Sequence, residues 1–263
     1  MKPNYKNWFP TWMLIVVFCI CILFFALTLL FALTGIVANP ALRWVLAVVF
    51  GLLFIFFTAN FNWCVKAHNA FSYTGKRQLA KQTVEGVAAY VSVPKGGKIL
   101  DVGCGSGALT IACAKRNPDA VVTGVDRWGK EYPGYGRAVC EANAAAEGVQ
   151  NVVFQNGDAF KLDFPDESFD AVTSNYVYHN IPKHVQQKLL LETLRVLKKG
   201  GMFAIHDLMI PRIYGDMNAF VAELKKEGYE KVELICTTNG MFTSAKEAKT
   251  LHLEHSTILY GVK

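Results

Sequence analysis

The residues of this chain best suited to chemistry lie in Asp101-Val-Gly-Cys-Gly-Ser-Gly107, a carboxylate two positions ahead of three alternating glycines. Glycines at this spacing let the backbone turn tightly and let a ligand approach where a Cβ would obstruct it. If the loop opens a helix, the first turn adds amide donors and a positive dipole end. Gly103, Gly105 and Ala108 satisfy the G-x-G-x-x-G/A dinucleotide pattern, and Asp126 lies at the spacing of a ribose-binding acid. A nicotinamide-dinucleotide oxidoreductase therefore stays open on the loop alone.

Other residues bear on the choice of cofactor. The Asp101 carboxylate, read as reaching the mouth of the site, suits an ammonium and would repel a pyrophosphate. Gly157-Asp158-Ala159 offers Asp158 as an acceptor for an adenine amino group. Further along, Ser174-Asn-Tyr-Val-Tyr-His-Asn180 and the pair His206-Asp207 supply polar and ionisable groups. His179 or His206 could take a proton from an acceptor near neutral pH. Trp128-Gly-Lys-Glu-Tyr-Pro-Gly-Tyr-Gly136 is long, aromatic and glycine-rich, a candidate cover for the site or a plain surface loop. His252 and His255 have no partner set for a metal, and no metal site is expected.

These residues need a scaffold, and the pattern around them alternates strand with helix. Strands are expected at 98–102, 120–125, 151–154, 169–173 and 202–205, and helices at 76–90, 107–116, 137–147, 184–197 and 214–227. Two further β-prone segments, 231–237 and 256–262, flank a linker rich in Lys, Glu and His. Such alternation predicts an α/β fold with a mostly parallel sheet covered on both faces.

The ordered set of motifs includes Asp166-Glu-Ser-Phe-Asp-Ala171 before the fourth strand and Arg195-Val-Leu-Lys-Lys-Gly-Gly-Met202 before the fifth. Together with the glycine loop and its acids, it resembles the class I, Rossmann-like S-adenosylmethionine-dependent methyltransferases. Within them it is most similar to the small-molecule branch of the ubiquinone and menaquinone type, over about residues 76–207. The resemblance implies a seven-stranded sheet whose last strand, about 256–262, inserts antiparallel. It implies S-adenosylmethionine as cofactor and S-adenosylhomocysteine as product. Asp101, Gly103 and Gly105 would hold the methionine end, Asp126 the ribose hydroxyls, and Asp158 with Ala159 the adenine. Cys104, Gly107, Arg127 and Gly157 would belong to the same cofactor site. Asn175 would lie near the sulfonium, and Tyr176, Tyr178 and His179, with Trp128 and Tyr132 of the loop, near the acceptor. A non-enzymatic cofactor-binding membrane module, and a methyltransferase acting on proteins, remain alternatives.

The first 65 residues are of another kind. They contain no Asp or Glu and only Lys2, Lys6 and Arg43 as basic side chains, leaving 24 basic against 21 acidic residues in 66–263. That balance is too even to argue for a nucleic-acid surface. Apolar runs at 12–37 and 44–63 are long enough for two spans of a roughly 30 Å hydrocarbon core, separated by Asn39-Pro40. Trp8, Trp12, Trp44 and Trp63 fall near the run ends, where aromatic rings favour the interface. Lys2 and Lys6 before the spans and Lys66, Lys76, Arg77 and Lys81 after them put both ends in the cytoplasm. The expected organisation is a membrane anchor at 1–65 and a cytoplasmic catalytic domain at 66–263, in the cell membrane. The anchor favours a small lipophilic acceptor; nothing bears on oligomeric state. Seven cysteines without metal-finger spacing read as reduced thiols.

Overall fold

The computed structural model describes residues 2–129, 134–182 and 185–263. It divides into two compact units, one of Lys6–Ala80 and one that joins Met1–Tyr5 to Lys81–Lys263.

The first unit is a helical hairpin of α1 (Thr11–Leu33) and α2 (Pro40–Ala70). Asn39 caps α2, its side chain accepting from the amides of Ala41 and Leu42, and Pro40 opens the helix where no donor is needed. The α1 helix ends four residues before the expected limit, because Thr34 turns extended and its hydroxyl donates to Leu30 O. In contrast α2 runs beyond the expected 44–63, as nothing between Asn60 and Ala70 breaks a helix. At 1.5 Å per residue its 31 residues span about 46 Å, so the polar Asn60–Ala70 end exceeds a roughly 30 Å hydrocarbon core. Stacked and tilted phenylalanines join the helices, with Phe24–Phe57 and Phe25–Phe54 centroids 5.3 and 5.2 Å apart. Outward, Leu52, Ile55, Phe56 and Val48 are exposed. Only 6% of the most apolar window of each helix is buried, the reverse of a soluble core. Both helices are long and apolar enough to cross a membrane.

The second unit is an α/β fold. Its strands are β1 (Lys98–Val102), β2 (Val121–Asp126), β3 (Val152–Asn156), β4 (Phe169–Asn175), β5 (Leu197–Leu208), β6 (Lys231–Cys236) and β7 (Ser256–Val262). They form one sheet of order β3-β2-β1-β4-β5-β7-β6. The first five are parallel, and β7 inserts antiparallel between β5 and β6, as expected. The helices are α3 (Leu79–Ala88), α4 (Ala108–Arg116), α5 (Arg137–Ala146), α6 (Gln186–Arg195), α7 (Pro211–Tyr214), α8 (Met217–Lys226) and α9 (Ala245–Leu251). The expected helix at 214–227 is interrupted at Gly215, which takes φ +72°, and restarts on the Asp216 cap. The expected linker after β6 contains α9, capped by Ser244.

Period-two alternation sets both faces. Leu100 and Val102 point into a cluster with Val172, Phe203, Leu189 and Leu190 of α6, and Phe220 and Leu224 of α8. Ile99 and Asp101 point to the opposite face, where α4 packs on β1 and β2. Full burial of each such leucine contributes about 1.5–3 kcal/mol, so both faces are fixed by many modest terms. Strand order reverses between β1 and β4, and the crevice at that switch point is where α/β sheets place ligands.

Candidate active site

Three parallel strands deliver the donor half of the crevice. After β1 the chain passes through Gly103, Gly105 and Gly107 at φ +76°, +55° and +82°, all left-handed, before entering α4. A Cβ on Gly103 would come within 2.4 Å of the Val177 side chain, so glycine there lets the loop after β1 meet the segment after β4. The loop is held internally. Gly103 N and Cys104 N donate to Val125 O, and Gly105 N donates to Asp126 Oδ2 at 2.8 Å. Asp126, at the end of β2, also accepts from Trp128 N at 2.8 Å. Trp128 sits at φ +44°, and its indole donates back to Gly105 O at 2.9 Å. The Tyr135 ring lies 3.5 Å from where a Gly105 Cβ would stand. Both described ends of the aromatic loop thus come over Gly105, while Tyr132 lies outside the described residues.

Asp101 does not reach the mouth of the crevice. It is 1% exposed, with Oδ2 accepting from Thr110 Oγ1 at 2.6 Å and Oδ1 from Thr173 Oγ1 at 3.2 Å. Its place on the α4 side of β1 is the reason. Burial lifts its pKa to about 7, partly offset by the two threonine hydroxyls. Cys104 is buried, Arg127 exposed, and Gly157 and Ala159 partly buried at the end of β3. Asp158 is exposed and accepts from Phe160 N at 2.9 Å. The cradle of glycines beside the half-buried Asp126 carboxylate fits a ligand with a hydroxylated sugar.

The acceptor half is built by β4, β5, the first residue of β7 and the residue that follows β6. Tyr176 follows β4 at φ +54°, a left-handed conformation that non-glycine residues adopt chiefly where surrounding structure forces it. Its hydroxyl bonds with Ser256 Oγ at 2.6 Å, and its ring lies tilted at 57° to His206 with the centroids 4.6 Å apart. His206 is 1% exposed, with both ring nitrogens engaged, Nδ1 with Asn175 at 2.8 Å and Nε2 with Thr237 at 3.1 Å. Burial drives its pKa down to about 3, so it is a neutral ring with no free nitrogen. The expected His206-Asp207 pair is also split, since successive residues of a strand face opposite ways.

Asp207 pairs instead with His179. The His179 Nδ1–H donates to Asp207 Oδ1, and the ring is partly exposed. The carboxylate also accepts from Tyr178 N (2.7 Å), His179 N (3.2 Å), Leu208 N (2.7 Å) and Tyr214 Oη (2.8 Å). Burial alone would raise its pKa, but the His179 ring, Tyr214 and the Leu208 amide outweigh burial and hold it below the usual range. With Nδ1–H committed to Asp207, His179 keeps its lone pair on Nε2, the nitrogen a general base uses. Tyr178, expected near the acceptor, lies instead in the core with no exposure, its hydroxyl on Thr193 Oγ1 at 2.6 Å.

Sequence reasoning missed Thr110 and Thr173, which hold Asp101, and Tyr214, Thr237 and Ser256, which complete the acceptor side. A signal existed for Thr110 alone, nine residues from Asp101 on a helix that must pack over β1. Among the described residues no group of three or more His, Cys, Asp or Glu could hold a metal ion.

A doubly wound sheet with a glycine loop at its switch point and a carboxylate at the end of β2 defines a Rossmann-like domain. Residues 94–255 match the methyltransferase-domain family, more than half of the chain, and the protein belongs to that family. It is 39% identical over 132 residues to a demethylmenaquinone methyltransferase of Listeria monocytogenes serotype 4a (strain HCC23), covering 49% of this chain and 52% of that protein. To the demethylmenaquinone methyltransferase of Geobacillus stearothermophilus it is 36% identical over 126 residues, covering 48% and 51%. The chain spans about half the length of these curated relatives. Among solved structures, the [4+2]-cyclase SpnF superposes with a TM-score of 0.54 at 20% identity, over 71% of this chain and 82% of that one. Phosphoethanolamine N-methyltransferase 2 of Haemonchus contortus gives 0.52 at 19%, over 74% and 54%. At these identities the structural matches speak for the fold alone, and a cyclase among them means the fold does not name the reaction.

Proposed function

We propose that this chain is a membrane-anchored methyltransferase that moves a methyl group from S-adenosylmethionine to a small lipophilic acceptor carrying an ionisable hydroxyl, of the class of reduced quinones (quinols). The contact of Gly103 with Val177 carries the reading, because it joins the glycine loop to the segment bearing the His179–Asp207 pair two residues later. Asp126 accepts the ribose hydroxyls, and Trp128 and Tyr135 cover the loop. Bound S-adenosylmethionine supplies the activated methyl group. His179 Nε2 takes the hydroxyl proton of the acceptor, and Asp207 fixes the ring and stabilises the imidazolium that results. An ionised phenol-type oxygen is nucleophilic at oxygen and at the adjacent ring carbon. Either transfer breaks the sulfonium–methyl bond and releases S-adenosylhomocysteine, and transfer to carbon also requires the ring proton to leave and a proton to return to the oxygen. The names of the Listeria and Geobacillus relatives support a quinone acceptor, and the exposed apolar hairpin supports a lipophilic one.

The hairpin is read as two spans of the cell membrane with both chain ends in the cytoplasm, from the basic residues that flank it. The cofactor assignment is tested by isothermal titration of the full chain in detergent with S-adenosylhomocysteine and with NAD. Micromolar binding of the first and none of the second is expected; the opposite pattern would replace the methyltransferase by an oxidoreductase. A reporter fused after Lys263 that is active only outside the cytoplasm would overturn the orientation.

A further inference from the structure

Chain termini usually fray unless something ties them down. Residues 4 and 5 are tied to the glycine loop and to α5, more than a hundred positions away in sequence. Asn4 N donates to Asn143 Oδ1 at 2.6 Å, and Asn143 Nδ2 donates both to Asn4 O at 3.1 Å and to Ser106 O at 2.9 Å. Ser106 Oγ donates to Tyr5 O at 2.8 Å. The Tyr5 side chain is 7% exposed, and its hydroxyl donates to Glu147 Oε1 at 3.2 Å. Glu147 is in turn paired with Lys115 of α4, which together with the tyrosine hydroxyl holds its carboxyl below the usual range against a smaller opposing effect of burial.

These bonds converge on one place. Ser106 is the middle residue between Gly105 and Gly107, and both it and Asn143 are buried, at 5% and 3% exposure. On the same face of α5, one turn earlier, Cys140 Sγ donates to Gly105 O at 3.2 Å. The loop is therefore gripped from α5 at two successive carbonyls, and the Asn143 side chain that grips Ser106 is completed by the backbone of Asn4. Both donors of that amide and one lone pair of its oxygen are used, so losing the N-terminal segment would leave buried polar atoms of Asn143 and the Ser106 hydroxyl to find water.

We propose that Asn4 and Tyr5 are positioning residues for the cofactor: the segment ahead of the membrane hairpin straps the glycine loop into its binding conformation through Asn143 and Ser106. This rests on the cofactor reading above. The strap touches the loop from the side of α4 and α5, and it acts on affinity through the order of Gly105–Leu109. It also makes the first residues of the chain part of the cofactor site, so a soluble fragment that begins after the hairpin lacks one wall of its support.

The test compares the full chain in detergent with Tyr5→Ala, Asn143→Ala and Tyr5→Phe, reading backbone amide exchange and S-adenosylhomocysteine binding. In Tyr5→Ala and Asn143→Ala the amides of 105–109 should exchange faster while those of β4 and β5 are unchanged. The Kd for S-adenosylhomocysteine should rise about tenfold, the worth of roughly one net buried hydrogen bond. Tyr5→Phe keeps the ring and the Tyr5 O contact, and should restore most of the loop protection and affinity. Unchanged exchange at 105–109 in both disruptive variants would overturn the strap, as would a rise spread evenly over the sheet. If the unaltered chain binds no S-adenosylhomocysteine, the cofactor reading fails, and the exchange measurement still decides whether the strap orders the loop.

Discussion

Asp101 and Asp207 are both buried carboxylates near the carboxyl ends of the sheet, one in the donor half and one in the acceptor half, and their environments push them in opposite directions. Asp101 has two threonine hydroxyls, too few to offset its burial, and its pKa rises to about 7. Asp207 has three backbone amides, a tyrosine hydroxyl and the His179 ring, and it stays ionised. The difference separates two uses of a buried acid. One sits in the wall under the glycine loop with its charge suppressed; the other is a fixed negative charge that orients a base.

The largest effect should come from removing that charge. Asp207→Asn turns an NH2 group toward donors built for a carboxylate, so chemical unfolding should report a loss of about 3–5 kcal/mol. Conditions that keep it folded should still show kcat reduced. His179→Ala should lower kcat by about 10²–10⁴ in a methyl-transfer assay, the usual worth of a general base. S-adenosylhomocysteine affinity should stay unchanged, which a titration would check. On the donor side Asp126→Ala should do the converse, raising the cofactor Kd by roughly 10–100-fold through loss of hydrogen bonds to a charged acceptor.

A further effect shows only as a slope with pH. Burial raises the Asp101 pKa in the folded protein to about 7, above the ordinary carboxylate range, so the folded protein holds a proton that the unfolded chain releases. Its contribution is fully present below about pH 4 and lost as pH rises through about 7, at up to roughly 1.4 kcal/mol per pH unit. Asp101→Asn should remove this slope and leave the variant relatively more stable at pH 8 than at pH 4. Urea unfolding of both proteins across that range measures it. A pH-independent difference would mean that Asp101 is ionised in the folded protein.

The donor half was legible because its parts are local: a strand, a glycine loop and a helix in one stretch, with Asp126 one strand later. The parallel part of the sheet followed from the alternating pattern, whereas the antiparallel last strand was implied by the family resemblance alone. The acceptor half is made by contacts between distant segments. Nothing near His179 in sequence marks Asp207 as its partner, and the tandem His206-Asp207 suggested a pairing that strand geometry forbids. Tyr178 reads as a pocket residue beside Tyr176, yet a short 3-10 turn at Tyr178–Asn180 swings it into the core. In the hairpin the apolar runs were plain, while the polar extension of α2 was not, because helix continuation depends on the absence of a breaker rather than on hydrophobicity.

In the proposed reaction the two halves act together to transfer a methyl group to a lipophilic acceptor. It is tested most directly by incubating membranes that contain the full chain, or its His179→Ala variant, with methyl-labelled S-adenosylmethionine and counting label in the organic-solvent extract. Label in the extract with the unaltered chain, reduced about a hundredfold or more in the variant while S-adenosylhomocysteine binding persists, is the predicted result. Equal labelling by both proteins, or none with the unaltered chain above membranes lacking it, would contradict the account.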